Sequence, residues 1–343
     1  MAEHPFLRAC RREPTDYTPI WLMRQAGRYQ KEYRLLRRKH SFLEMCKIPE
    51  LAARVTMLPV EQMKVDAAII FSDILIPLEP MGIDLAFSAN EGPVFSHPVR
   101  EMKQIDGLRI FEPDEEIPFL MEAIRIVRRE LDGKIPLIGF AGAPFTLASY
   151  VIEGGHSKNY THTKGMMYEN PEAWDRLMNK LSEVLARYLN AQISAGVEVV
   201  QLFDSWVGCL SPADYEEYVL PYSKKVIDRI DKRVALIHFA TMASSLMEGM
   251  KKAGGDVIGV DWRVDLGEAW RRLGDDVAIQ GNLDPVVLLG PLHQIEKEVK
   301  RILSRAEGRP GHIFNLGHGV LPDTPVENVV ALVDMVHEHS SKR

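Results

Sequence analysis

Cysteine is scarce in this chain. The three present, Cys10, Cys46 and Cys209, lie far apart and form no C-x-x-C pair. That argues against a disulfide framework or a structural zinc site and leads us to expect a reducing, cytoplasmic setting. Long apolar runs are missing too, since no stretch approaches the roughly 18 apolar residues of a membrane span. Nothing reads as a signal peptide: Arg8, Arg11 and Arg12 are followed by Glu13, Asp16 and prolines where an apolar segment would be needed. There is no repeat of fixed period, no low-complexity tract and no Ser/Gly/Pro-rich linker. The glycine fingerprint G-x-G-x-x-G and the P-loop pattern are both absent, which weakens a nucleotide-binding open sheet. The net charge of −6 argues against non-specific binding to nucleic acid.

What is present is alternation. Short apolar segments, of the kind that form buried parallel strands, are separated by longer amphipathic helical stretches. Eight strands are expected, at Ile20–Met23, Ala67–Phe71, Leu137–Ala141, Val197–Phe203, Val234–Phe239, Val257–Val260, Val277–Gln280 and Ile313–Leu316. Helix starts lie between them. Asn170 and Ser211 each precede a proline suited to the first helical position, and Thr324 with Glu327 reads as a capping box. The helix from Pro171 should stop at Gly196. At 343 residues the chain could hold two domains or one large barrel. Eight β-then-α units favour an α/β fold, a single-domain (β/α)8 TIM barrel, in which the carboxyl ends of the strands form the working face. All eight of those ends carry polar or turn-prone residues.

The first end is the most informative. An apolar strand stops abruptly at Arg24 and Arg28, and a helix beginning there would put both guanidiniums on one face. Arginine suits carboxylate binding because its planar fork donates two parallel hydrogen bonds. Residues 8–40 hold ten Lys/Arg against three Asp/Glu, a local excess of seven positive charges. This segment is either a solvated basic face or a site for an anionic ligand, and the two arginines either pair with acids on the rim or grip a ligand. Asp73 follows the apolar run 67–71, where it could stabilise a developing cation or simply cap a loop. Tyr150 could reach a ligand or sit buried with its hydroxyl satisfied. His318 stands between two glycines that let backbone approach a ligand closely. Ser205 has no neighbouring base in sequence and reads as a hydrogen-bonding group, not a nucleophile.

Five segments resemble the uroporphyrinogen decarboxylase family. Pro19–Tyr29 (PIWLMRQAGRY), continuing through Glu32, Tyr33 and Arg34, resembles its first signature, and Ile138–Leu147 (IGFAGAPFTL) its second. Ala67–Leu75, Val200–Ser205 and Asn315–Gly319 are similar to that family in the same order, so the likeness spans nearly the whole chain. The resemblance implies a (β/α)8 barrel. It implies that Arg24 and Arg28 bind substrate carboxylates, that Gln25, Ala26 and Gly27 shape the same loop, and that Arg37 assists. Asp73 would contact the pyrrole N–H groups and stabilise the transition state. Tyr150, Ser205 and His318 would complete the site, and Phe203 would pack against the macrocycle.

The resemblance further implies a cytoplasmic homodimer acting on uroporphyrinogen, with no metal or organic cofactor. Protonating a pyrrole carbon would supply the electron sink for loss of carbon dioxide, and the four acetates would become methyls. Two alternatives stand beside this. A zinc-dependent cobamide methyltransferase of the same fold family needs a His-x-Cys pair and a distant Cys, whereas this chain has His238-Phe239-Ala240 and no Cys beside His318. A non-catalytic tetrapyrrole-binding protein would need the arginines but not turnover.

Overall fold

The computed structural model describes residues 3–88 and 92–341. Among them run the strands β1 (Ala68–Ile69), β2 (Leu85–Ser88), β3 (Gly92–Phe95), β4 (Leu137–Gly142), β5 (Val199–Asp204), β6 (Ala235–Ala240), β7 (Val257–Gly259), β8 (Ala278–Gln280) and β9 (His312–Ile313). Seven of these, β1 and β4 through β9, form one parallel sheet in chain order. The sheet is curled and ringed by helices in a TIM-barrel architecture. The hairpin β2–β3 pairs antiparallel outside it and was not foreseen from the sequence.

The N-terminal segment closes the barrel. Phe314 donates its N–H to Pro19 O at 2.8 Å, and on the other side Asp66 donates to Ile20 O at 2.8 Å. Ile20 thus bridges β9 and β1 as the eighth stave, in parallel register with Phe314. The expected strand Ile20–Met23 is nevertheless a single bridge residue. The physical reason is that Pro19 has no N–H and that side chains take the donors a ladder would use. Ile20 N donates to Asp66 Oδ2 at 2.8 Å, Leu22 N to Gln25 Oε1 at 3.1 Å and Met23 N to Asn315 Oδ1 at 3.1 Å. The other seven expected strands are present, with ends moved by at most three residues.

Side-chain alternation sorts the two faces of the sheet. Ile138, Val199, Ile237, Val257, Ala278 and Ile313 point inward, and the helix Pro5–Cys10 packs Phe6, Ala9 and Cys10 against this inner layer. Buried amides cross it in a chain, Trp21 Nε1 to Gln280 Oε1 at 2.9 Å and Gln280 Nε2 to Gln201 Oε1 at 3.1 Å, which ends on Gln201 Nε2 without a partner of its own. The outward residues Val200, Leu202 and Leu236 join the main core beneath the helices.

The helix Pro171–Ala195 begins at the Asn170 cap and ends at Gly196, and Ser211 caps Pro212–Tyr218, as expected. The expected capping box at Thr324 does not form. That helix starts at Val326, with Pro325 and not Thr324 in the cap position, so the buried Thr324 hydroxyl lies one residue outside the cap and has no partner.

Candidate active site

The mouth is built on a turn that is pinned from several sides. Gln25 is fully buried, and its side chain accepts from Leu22 N and donates to Ala67 O at 3.2 Å. Tyr29 OH donates to Gln25 O at 2.5 Å, and Gly27 N to Gln30 Oε1 at 3.0 Å. Val320 N donates to Met23 O at 2.9 Å, tying the turn to the end of the last strand. Arg24 takes the left-handed conformation, φ 58°, which costs an L-residue about 1 kcal/mol and persists only when surroundings over-determine it. A β-carbon on Gly27 would lie 3.2 Å from Arg24 O, so the small residue keeps this turn tight. Ala26 packs against the small cluster of Tyr33, Met45, Val55 and Leu58.

Helix formation starts only at Lys31. Arg24 and Arg28 therefore sit in a turn, not on one helical face. The turn aims them differently from the spacing argument but leaves both exposed. Among the described residues neither guanidinium makes an ion pair or a hydrogen bond, in contrast to Arg128 with Glu198 or Arg272 with Glu248. Pairing across the rim is thus the alternative the geometry disfavours. The stem of Arg24 lies across Gly319, where a β-carbon would sit 2.3 Å from Arg24 Cδ. Arg37 lies exposed on the helix Lys31–Lys39 and donates to His40 O at 2.7 Å. Tyr33 connects it to the turn, because the phenol feels the fields of Arg37, Arg28 and Arg24 together.

Asp73 follows β1 and accepts Leu75 N–H at 2.9 Å. Burial pushes its carboxyl up to about 6, and the Leu75 N–H and the field of Arg24 oppose that only in part. It is therefore mostly ionised at pH 7 but held less firmly so than the nearby arginines alone would suggest. Tyr150, on the helix Pro144–Glu153, is pushed up to about 12 by burial and by Asp73, and a hydrogen bond with Trp206 and the field of Arg24 offset part of this. His318 is held below its ordinary value by burial and then by Arg24, so it is neutral at pH 7. Arg24, Asp73, Tyr150 and His318 are thus neighbours, although their positions span nearly 300 residues of sequence.

Phe203 is half-buried and meets Phe140 and Phe239 edge to face at 5.6 and 6.0 Å, giving the mouth an apolar floor. Ser205 follows β5. Its carbonyl accepts from Thr241 at 2.8 Å, and its hydroxyl bonds no other described residue. Trp206 was not singled out from the sequence. It bonds Tyr150, stacks on His156 at 5.6 Å and takes its backbone position from Thr146, whose hydroxyl also donates to Asp204. A bulky aromatic directly after a polar strand end was the available signal. Among the described residues, no three His, Cys, Asp or Glu side chains converge to hold a metal ion. His238 is buried behind the sheet, 3.3 Å from Gly254 O and 4.0 Å from Asp204, with no thiol beside it. The donor set of the zinc methyltransferase alternative is not assembled.

Fold and mouth together define a (β/α)8-barrel enzyme. The family model described as uroporphyrinogen decarboxylase matches residues 1–339. A uroporphyrinogen decarboxylase of Carboxydothermus hydrogenoformans is 59% identical over 337 residues, covering 98% of this chain and 96% of that one. One of Sorangium cellulosum is 55% identical, covering 97% and 95%. A solved methyltransferase of Methanosarcina mazei superposes with TM-score 0.81 over 97% of both chains at 21% identity, a likeness of fold alone. The chain belongs to the uroporphyrinogen decarboxylase family.

Proposed function

We propose that this chain removes carbon dioxide from the four acetate side chains of uroporphyrinogen III, giving coproporphyrinogen III for haem synthesis. The observation that carries the reading is the pair of exposed guanidiniums, Arg24 and Arg28, neither of them in an ion pair, with the half-buried carboxylate of Asp73 in the field of Arg24. An eight-carboxylate substrate needs such cations despite the net acidic chain. A tetrapyrrole whose ring becomes cationic needs a carboxylate placed in advance.

In this reading Arg24 and Arg28 bind carboxylates bidentately, with Arg37 adding to the positive field and Gln25, Ala26 and Gly27 holding the loop. The Asp73 carboxylate accepts hydrogen bonds from the pyrrole N–H groups. A proton adds to the pyrrole ring carbon next to the one that bears the acetate, and the ring becomes cationic beside Asp73. The bond to the carboxylate then breaks, and its electron pair flows into the ring as an exocyclic double bond while carbon dioxide leaves. A proton reaches the exocyclic carbon to make the methyl, and the first ring proton is lost. Each round consumes one proton net. The protonated ring is the electron sink, so no metal or organic cofactor enters the scheme.

Neutral His318, Tyr150 and the Ser205 hydroxyl complete the hydrogen bonding, and Phe203 packs on the macrocycle. The chain works as one (β/α)8 domain, supported by a core cluster that runs from Ile20 to Val336. In the same reading it is a homodimer working in the cytoplasm. Among the described residues no helix is long and apolar enough to cross a membrane.

The test is to incubate chelator-treated protein anaerobically with uroporphyrinogen III and separate the oxidised products by chromatography. Stepwise loss of four carboxyls, unaffected by the chelator, is expected. Binding without decarboxylation would leave the carrier reading, and turnover lost with the metal would favour a metalloenzyme.

A further inference from the structure

The mouth has a second cationic device that the sequence reading passed over. Asp261, just past β7, is buried. Its Oδ2 accepts Met242 N–H at 2.6 Å and its Oδ1 accepts Arg263 N–H at 3.0 Å, so the carboxylate anchors two strand-end turns at once. Arg263 Nη1 donates to Asp261 Oδ2 at 2.6 Å, and its guanidinium lies 4.2 Å over the ring of Trp262. Trp262 in turn packs against Gly317, where a β-carbon would meet Trp262 Cε3 at 2.6 Å. The rim therefore reads continuously as Arg263, Trp262, Gly317, His318, Gly319 and Arg24. The imidazole of His318 lies in the fields of both arginines.

This guanidinium is fixed but not used up. Of its five N–H donors, one is committed to Asp261. The side chain is 41% exposed, and the buried acid beneath it is already shared between two backbone donors. A cation held by a π-face on one side and a carboxylate on another loses little further freedom when it takes up an anion. An arginine tied only for stability would gain nothing from a position beside the histidine of the mouth.

We propose that Arg263 is a third carboxylate-binding residue of this site, a specificity determinant that holds one peripheral carboxylate of the tetrapyrrole beside His318. The assignment rests on the decarboxylase reading. That substrate carries carboxylates all round its ring, and Arg24 and Arg28 stand on the adjoining part of the rim.

The test combines equilibrium dialysis of uroporphyrin III, the oxidised ring that keeps all eight carboxylates and is not turned over, with steady-state kinetics on anaerobic uroporphyrinogen for wild type, Arg263→Gln and Arg263→Lys. Losing one charge-assisted contact of about 1.5 kcal/mol weakens binding about ten-fold. Arg263→Gln is therefore expected to raise Kd and KM by about ten-fold and leave kcat within about two-fold. Arg263→Lys, which keeps the charge and the pair with Asp261, should recover part of that loss. The effect followed through the hepta-, hexa- and pentacarboxylate intermediates identifies the bound group. A constant factor marks a propionate, and a factor that disappears marks an acetate. Kd and KM within two-fold of wild type in Arg263→Gln would overturn the proposal, as would a fall in kcat that Arg263→Lys does not relieve. Because Kd is read without turnover, Arg263 is tested even if the wild type proves to bind without decarboxylating, an outcome that would remove the decarboxylase reading itself.

Discussion

The stem of Arg24 fills the space that a side chain at residue 319 would need. A β-carbon on Gly319 would stand 2.3 Å from Arg24 Cδ, 2.6 Å from Cγ and 2.9 Å from Cβ. The whole stem is in the way, not a mobile tip. Gly319 lies outside the left-handed region, so an alanine there strains no backbone. Gly319→Ala is expected to displace Arg24, stem and turn together, and to lower stability by about 1–3 kcal/mol. KM for uroporphyrinogen should rise by about ten- to hundred-fold, the loss of one or two charge-assisted bonds. The double variant with Arg24→Ala should lose no more than either single one, since both remove the same contact. Steady-state kinetics on the three variants decides this.

Asp73 should make the protein less stable above pH 6 than below pH 4. Its folded value of about 6 lies above the ordinary 3.8. The ionised form is therefore less favourable in the folded chain than in the unfolded one. That penalty is absent below pH 4, grows as pH rises toward 6 and is complete above it. Asp73→Asn should remove it, so the variant is expected to be about 1–3 kcal/mol more stable than wild type at pH 8 and no more stable at pH 4. Urea unfolding at the two pH values measures the difference.

The same titration should appear in catalysis. If the carboxylate is the working form, kcat/KM falls as pH drops through about 6, with a slope of one proton on that limb. His318 is held below its ordinary value by burial and then by Arg24, so the profile of Asp73→Asn, which should lose the limb if it belongs to Asp73, separates the two groups. A profile flat from pH 7 to 5 would remove the requirement for ionised Asp73.

Barrel closure hangs on Asp66. Its carboxylate accepts from Ile20 N at 2.8 Å, Tyr17 OH at 2.8 Å and His337 Nε2 at 2.7 Å, tying the eighth stave to the C-terminal helix. Asp66→Ala leaves a buried amide and a half-buried phenol without their acceptor. A loss of about 2–4 kcal/mol is expected, read as a lower midpoint in denaturant. Asp66→Asn keeps an acceptor and should cost less.

Seven of the eight staves were legible because buried parallel strands are apolar on both faces and end at polar turns. The eighth was legible as a segment but not as a bridge. Its pairing is undone by Asp66, Gln25 and Asn315, three side chains whose reach into the backbone no local pattern records. The hairpin β2–β3 was missed for a related reason, because it packs outside the barrel and lacks the buried-strand pattern. At the mouth, residue types pointed to Arg24, Arg28 and Asp73. The distinction between a ligand site and a set of rim ion pairs needed the coordinates, since only they show that neither guanidinium is engaged in an ion pair, although Arg24 lies in the field of Asp73. Gln25, Trp206 and Arg263 show the limit of motif reading. The first is inside the signature but turned into the core, and the other two lie outside the signatures, Trp206 against Tyr150 and Arg263 over Trp262.

The most direct test of the account compares binding and turnover on the same samples of wild type and Asp73→Asn. Equilibrium dialysis gives Kd for uroporphyrin III, the oxidised ring with the same eight carboxylates that is not turned over, and chromatography of the oxidised products gives the decarboxylation rate on uroporphyrinogen III. With the arginines intact and the carboxylate gone, Kd should stay within a few-fold of wild type while the rate falls by about 100-fold or more. A variant that decarboxylates at the wild-type rate would contradict the central claim that the Asp73 carboxylate stabilises the cationic ring.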